Sequence, residues 1–141
     1  MTFSDADFRW MGEARRLARR GLNGADPNPR VGCVLARDGE CVGRGWHAVF
    51  GEAHAEAMAL RAAGEAARGS TCYVTLEPCS HTGKTGPCAR ALVEAGVVEV
   101  VFAAIDPHPV RGGDGFAALR RAGIVVRTGL LEPASRALNL G

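Results

Sequence analysis

His54, Cys79 and Cys88 are three borderline-soft ligands placed where the chain turns into a helix or leaves a strand. His54 opens an alanine-rich helical stretch, Cys79 follows a β-prone run, and Cys88 opens a second helical stretch. Zn²⁺ suits such a set, because it takes imidazole nitrogen and thiolate sulfur in a tetrahedral shell at about 2.0 and about 2.3 Å. Three protein ligands leave the fourth position open. An open position marks a catalytic site, in which a bound water is acidified to a pKa of about 7. The partial positive charge of the two helix starts favours the thiolates. Glu56 lies two residues after His54, so its carboxylate reaches the same pocket without competing as a ligand. From there it can take a proton from water and return protons to a substrate nitrogen, turning an amidine-type carbon into a carbonyl with loss of ammonia. A purely structural zinc wants four protein ligands, and the only further candidate is His81.

The elements that must hold these residues are legible in the spacing of apolar positions. Ser4 with Asp7 reads as a capping box, and Phe8, Met11, Ala14, Leu17 and Ala18 recur at helical spacing, predicting a first helix over about 5–20 with Gly21 as its stop. Val31 to Ala36 and Cys41 to His47 are short strands joined by Arg37-Asp38-Gly39-Glu40, a hairpin signal because Asp-Gly tolerates positive φ. A second helix is predicted over 53–64 and a third strand over 71–76. The polar loop EPCSHTGKTGP leads to a third helix at about 87–95. A fourth strand (98–104), a fourth helix (114–122), a fifth strand (124–128) and a short terminal helix (132–139) follow. After the hairpin, helix and strand alternate, which predicts parallel strands covered by helices on both faces.

A chain of 141 residues is one domain, and no repeat or linker divides it. Hydrophobic content of 47% with 23% charged residues describes a soluble globular protein, and no apolar run is long enough to cross a bilayer. The opening MTFSDADFRW lacks a basic start and an apolar stretch, which predicts a cytoplasmic protein with reduced thiols. Five cysteines in a chain of this size argue for metal binding or core packing over a disulfide scaffold, and Cys33, Cys41 and Cys72 read as small buried hydrophobes. A net charge of +2 is too balanced for a dedicated nucleic-acid binder, and the arginine pairs 15/16, 19/20 and 120/121 read as solvated helix faces. Among 17 basic residues the single lysine is Lys84.

His54-Ala55-Glu56, followed by Pro78-Cys79 and by Cys88, resembles the zinc signature of the cytidine-deaminase-like nucleobase deaminases. Eight residues separate the two cysteines, where the common form has two. The string TLEPCSHTGKTGPC at 75–88 looks like the deaminase domain of bacterial riboflavin biosynthesis, in which the longer spacing is characteristic. PNPRVGCVL at 27–35, GRGWH at 43–47, GEAHAEAMAL at 51–60 and AIDPHP at 104–109 match the same family, so the resemblance spans almost the whole chain.

The resemblance implies a three-layer α/β/α cytidine-deaminase-like fold with a mixed sheet of about five strands. It implies one zinc per chain on His54, Cys79 and Cys88, with Glu56 as the proton shuttle. The implied reaction is hydrolytic deamination of 2,5-diamino-6-(5-phosphoribosylamino)pyrimidin-4(3H)-one at its 2-amino group. Asn28, held extended by Pro29, would bond the pyrimidine edge, and His47 would border the pocket. His81, Lys84 and Thr85 would face the ribose-phosphate side or the ring carbonyl, where a phosphorylated substrate wants a cation. Asp106 matches the family's Asp-Pro-Asn-Pro segment, with His108 in place of the asparagine. The family's usual protein continues into a reductase domain, which this sequence lacks, and small deaminases of this fold commonly form homo-oligomers. Two other readings stay open: a related deaminase acting on cytidine, guanine or tRNA adenosine, disfavoured by the cysteine spacing and Lys84, and a non-catalytic zinc module partnering a separate reductase, disfavoured by Glu56.

Overall fold

The structure, a computed structural model, describes residues 3–19, 31–46, 55–75, 88–102 and 119–128, with positions 19, 88 and 89 described for their backbone alone. Helix α1 spans Asp5–Arg19. Its start is the reciprocal cap that the sequence signals: the Ser4 amide donates to Asp7 Oδ2 at 2.8 Å and the Asp7 amide donates to Ser4 Oγ at 3.1 Å. Strands β1 (Gly32–Arg37) and β2 (Glu40–Trp46) form the hairpin. Asp38 at φ 54° and Gly39 at φ 79° make its two-residue turn, the left-handed pair that matches the twist of the flanking strands.

Helix α2 (Ala55–Ala63) runs into a short 3₁₀ turn, Gly64–Ala67, and strand β3 covers Thr71–Val74. Helix α3 (Cys88–Glu94), strand β4 (Glu99–Phe102), a helical turn at 119–121 and strand β5 (Val125–Thr128) complete the described elements. The helices and β3 to β5 lie within the ranges their sequence patterns predict, β1 and β2 each reach one residue further into the turn, and the 3₁₀ turn is not signalled by the pattern. The expected terminal helix at 132–139 and the start of the expected fourth helix lie outside the described residues.

The five strands form one mixed sheet in the order β2-β1-β3-β4-β5. β3, β4 and β5 run parallel, as the alternation of helix and strand requires. β3 joins the hairpin antiparallel, along β1, which places β1 and β3 in the middle of the sheet. Alternate residues of these strands enter two cores on opposite faces. On one face Val34, Ala36, Tyr73 and Val101 pack under Met11, Ala14 and Leu17 of α1. On the other, Cys33, Leu35, Cys72, Val74, Val100 and Phe102 pack under Ala55 and Ala59 of α2, Leu92 of α3, and Leu119. The result is the expected α/β/α sandwich. Each fully buried Leu, Val, Phe or Met contributes roughly 1.5–3 kcal/mol relative to exposure.

Cys33 and Cys72 are wholly buried, with their sulfurs 3.4 Å apart, and Cys41 is half-buried. All three are free thiols; Cys33 and Cys72 are the small core residues the sequence reading expects, whereas Cys41 packs against the α1-side core only partly buried.

The hairpin carries an irregularity that the sequence pattern does not announce. Leu35 pairs with Gly43 and the next residue, Ala36, pairs with Cys41, so Val42 is an extra residue in β2. The bulge turns two consecutive residues, Val42 and Gly43, toward α2, while Cys41 and Trp46 face the α1 side.

On the α1 face a network closes the sheet from its first helix to its last strand. Tyr73 donates its hydroxyl to Asp7 Oδ1 at 2.6 Å, and the Arg127 guanidinium grips both Asp7 oxygens at 2.9 and 3.1 Å. Arg127 Nε also donates to Glu99 Oε2 at 2.6 Å. Burial pushes the Asp7 carboxyl up, but the bonds from Arg127, Tyr73 and the Ser4 amide outweigh it and hold its pKa at about 2. Burial and the bond to Asp7 together hold the Tyr73 hydroxyl above its usual range. Among the described residues no helix is long and apolar enough to cross a membrane.

Candidate active site

Four strand ends meet at one edge of the sheet. Gly32, the first residue of β1, pairs with Trp46, the last of β2, and Val74 near the end of β3 pairs with Phe102, the last of β4. Thr75, only 1% exposed, ties the two halves: its amide donates to the Gly32 carbonyl at 3.1 Å and its Oγ1 accepts from the Gly32 amide at 3.1 Å. In sequence, Asn28 lies four residues before Gly32, His47 follows Trp46, Cys79 lies four residues after Thr75, and Asp106 lies four residues after Phe102. The described residues that border these segments, Gly32, Trp46, Thr75 and Phe102, thus lie at one end of the sheet.

Helix α2 begins at this end. It is seated on β2 through two glycines without side chains. A Cβ on Gly45 would run into the Ala55 carbonyl oxygen and stand 2.7 Å from the Ala59 nitrogen, and a Cβ on Gly43 would meet the Ala59 carbonyl. On the other face Gly32 gives α1 the same close approach, its Cβ position lying against the Ala14 carbonyl. Ala55 and Ala59 are small enough to continue the contact from the helix side, and both are fully buried.

Glu56 sits in the first turn of α2 and is 4% exposed. An acidic side chain in a first helical turn is favoured by the helix dipole, but burying a carboxylate there is costly unless polar or charged groups face it. Glu56 has such an interaction in the structure. Cys88 is the first residue of α3, and that helix packs its Leu92 into the same core as Ala55 and Ala59. Ala55, next to His54 in the sequence, and Leu92, four residues after Cys88, therefore share one core.

Of the residues expected at the site, Glu56 is described in full and Cys88 by its backbone. His54, Cys79, Asn28, His47, His81, Lys84, Thr85 and Asp106, with His108, lie outside the described residues. Among the described residues no cluster of three His, Cys, Asp or Glu side chains forms a metal site. Sequence reasoning did not single out Thr75, Gly43 or Gly45. The alternation of glycine with larger residues in GRGW is the one signal that could have pointed to a helix lying on β2.

Residues 4–104 match the family model for the cytidine and deoxycytidylate deaminase zinc-binding region. The chain is 52% identical over 135 residues to the riboflavin biosynthesis protein RibD of Escherichia coli, covering 96% of this chain and 37% of that protein. It is 46% identical over 135 residues to the diaminohydroxyphosphoribosylamino-pyrimidine deaminase of Buchnera aphidicola subsp. Schizaphis graminum, covering 96% of this chain and 92% of that protein. The crystal structure of a diaminohydroxyphosphoribosylaminopyrimidine deaminase/5-amino-6-(5-phosphoribosylamino)uracil reductase from Thermotoga maritima superposes with a TM-score of 0.89 at 42% identity, over 94% of this chain and 39% of that one. The chain thus spans somewhat over a third of two of these proteins and nearly all of the third. It belongs to the family of the cytidine and deoxycytidylate deaminase zinc-binding region, and within it stands with the diaminohydroxyphosphoribosylamino-pyrimidine deaminases.

Proposed function

We propose that this chain deaminates 2,5-diamino-6-(5-phosphoribosylamino)pyrimidin-4(3H)-one by hydrolysis, giving the corresponding uracil and ammonia in riboflavin biosynthesis. The observation that carries the reading is the buried Glu56 carboxylate, in the first turn of α2 and two residues from His54, at the sheet end where the chain segments bearing the other expected residues begin or end. The relatives named for riboflavin biosynthesis and for this deaminase support the choice of substrate.

The donor set fits zinc. One imidazole and two thiols are the borderline-soft ligands this ion takes, and two of the three stand beside the starts of α2 and α3, whose dipoles favour thiolate. His54, Cys79 and Cys88 would hold it, and when bound it supplies an acidified water at neutral pH. The remaining chemistry belongs to the chain. Glu56 accepts a proton from the attacking water and passes it to the ring nitrogen beside C2, then takes the remaining proton from the new C2 hydroxyl and gives it to the departing amine as the C2–N bond breaks. Water and the 2-amino group are thereby exchanged for a carbonyl and ammonia. Lys84, with His81 and Thr85, holds the phosphoribosyl end, while Asn28 and Asp106 fix the ring and His47 borders the pocket. Residues 1–141 act as one deaminase unit, as a homo-oligomer, and a reductase on the same or another chain takes the product onward; the Thermotoga protein is named for both activities.

The test is ammonia release from purified, zinc-analysed protein given the phosphoribosylaminopyrimidine, with cytidine and guanine run alongside. Release from the first alone is expected, and no release from it with one zinc per chain overturns the reading.

A further inference from the structure

We propose that Gly45 is a positioning residue for Glu56: by lacking a side chain it lets the first turn of α2 rest directly on β2 and so sets the depth of the carboxylate in the site. The inference rests on the proposed function for its kinetic readout, though not for its structural one. The Cβ position of Gly45 falls on the carbonyl of Ala55, the residue that separates His54 from Glu56, and 2.7 Å from the Ala59 nitrogen one turn later. Both obstacles are backbone, so no rotamer change relieves them. Any side chain at 45 must lift the start of α2 away from the sheet.

Gly43 supplies the comparison within the same strand. Its Cβ position meets the Ala59 carbonyl and stands 3.0 Å from the Ala63 Cβ, which is the far half of the helix. Gly43 and Gly45 lie two residues apart in the regularly paired part of β2, so alternation turns both to the α2 face. A side chain at 43 therefore disturbs the docking of α2 as severely as one at 45, but pushes one to two turns away from Glu56. Placement errors of about 1 Å in a catalytic group cost on the order of 10²-fold in rate.

The experiment compares Gly45→Ala with Gly43→Ala in the full chain, with zinc added to saturation and both assayed well below their melting temperatures. Gly45→Ala is expected to lose on the order of 10²-fold in kcat with KM for the pyrimidine unchanged, whereas Gly43→Ala stays within about threefold of the wild type. Amide exchange gives the readout that needs no activity. In Gly45→Ala it should accelerate at Ala59 and Leu60, whose amides bond back to the Ala55 and Glu56 carbonyls in a regular helix, and in Gly43→Ala it should accelerate only nearer Ala63. Equal kcat losses in both variants, or a Gly45→Ala enzyme as fast as the wild type, overturn the assignment. If Gly45→Ala does not fold in buffer, the same measurements in trimethylamine N-oxide, which strengthens burial, decide it. A wild-type chain that releases no ammonia defeats the proposed function, and the exchange pattern still tests Gly45 by itself.

Discussion

Thr75 and Gly32 bond to each other twice, amide to carbonyl and amide to hydroxyl, each at 3.1 Å, although 43 residues separate them. The pair joins the last described residue before the cysteine loop to the first residue of β1, which follows the Asn28 segment. In Thr75→Val the shape is kept and the Gly32 amide loses its side-chain acceptor in a buried place. An unsatisfied buried donor costs about 1–3 kcal/mol, which in a chain of this size lowers the melting temperature by about 3–10 °C. Thr75→Ser is expected to recover most of that. A Thr75→Val protein that melts with the wild type would show that water has replaced the hydroxyl.

Glu56→Gln keeps the size and burial of the side chain and removes its ability to accept a proton. Zinc content is expected to stay at that of the wild type while kcat falls by about 10²–10⁴-fold, the usual range for a general acid–base group. Metal analysis and single-turnover ammonia release measure the two effects separately. Undiminished turnover in the variant sinks the proton-shuttle role.

Lys84 stands alone among 17 basic residues as a lysine, and the proposed substrate carries a phosphate. Lys84→Ala is expected to raise KM by about tenfold or more with little change in kcat, since a contact to the phosphate is made equally in the ground and transition states. An unchanged KM removes Lys84 from the site.

Local signals carried the elements well, and distance in the sequence decided what they missed. The Ser4/Asp7 cap, the Asp38-Gly39 turn and the apolar periodicity of α1 depend on neighbours within a few residues, and each is found where its pattern lies. The α/β/α class followed from the order of elements. The candidate ligand set and Glu56 stand out in the sequence because a short motif names them, and of these the structure describes the side chain of Glu56 alone. The bulge at Val42 was not legible, since period-2 alternation cannot show where one residue is skipped. Nor was the second role of Asp7: its partners Tyr73 and Arg127 lie 66 and 120 residues away, and a carboxylate that caps a helix looks the same in sequence whether or not an arginine reaches it.

That distant grip makes stability depend on acid. Asp7 has a native pKa of about 2 against an ordinary 3.8, so its native state holds fewer protons than the unfolded chain between those values. The group's folded pKa is depressed, and its contribution, about 2 kcal/mol, is present in full above about pH 5. It is lost progressively as pH falls through 3.8 toward 2. In Asp7→Asn the guanidinium of Arg127 keeps Glu99 but loses both Asp7 oxygens, so stability at neutral pH drops and part of the acid-side slope disappears with it. Urea denaturation of both proteins between pH 2.5 and 7 measures this. The two curves should converge toward the acid end, where the native carboxylate is being protonated. Parallel curves over the whole range would mean that Asp7 titrates alike in the folded and unfolded chains, and that the Arg127 contact lends it no charge-dependent stability.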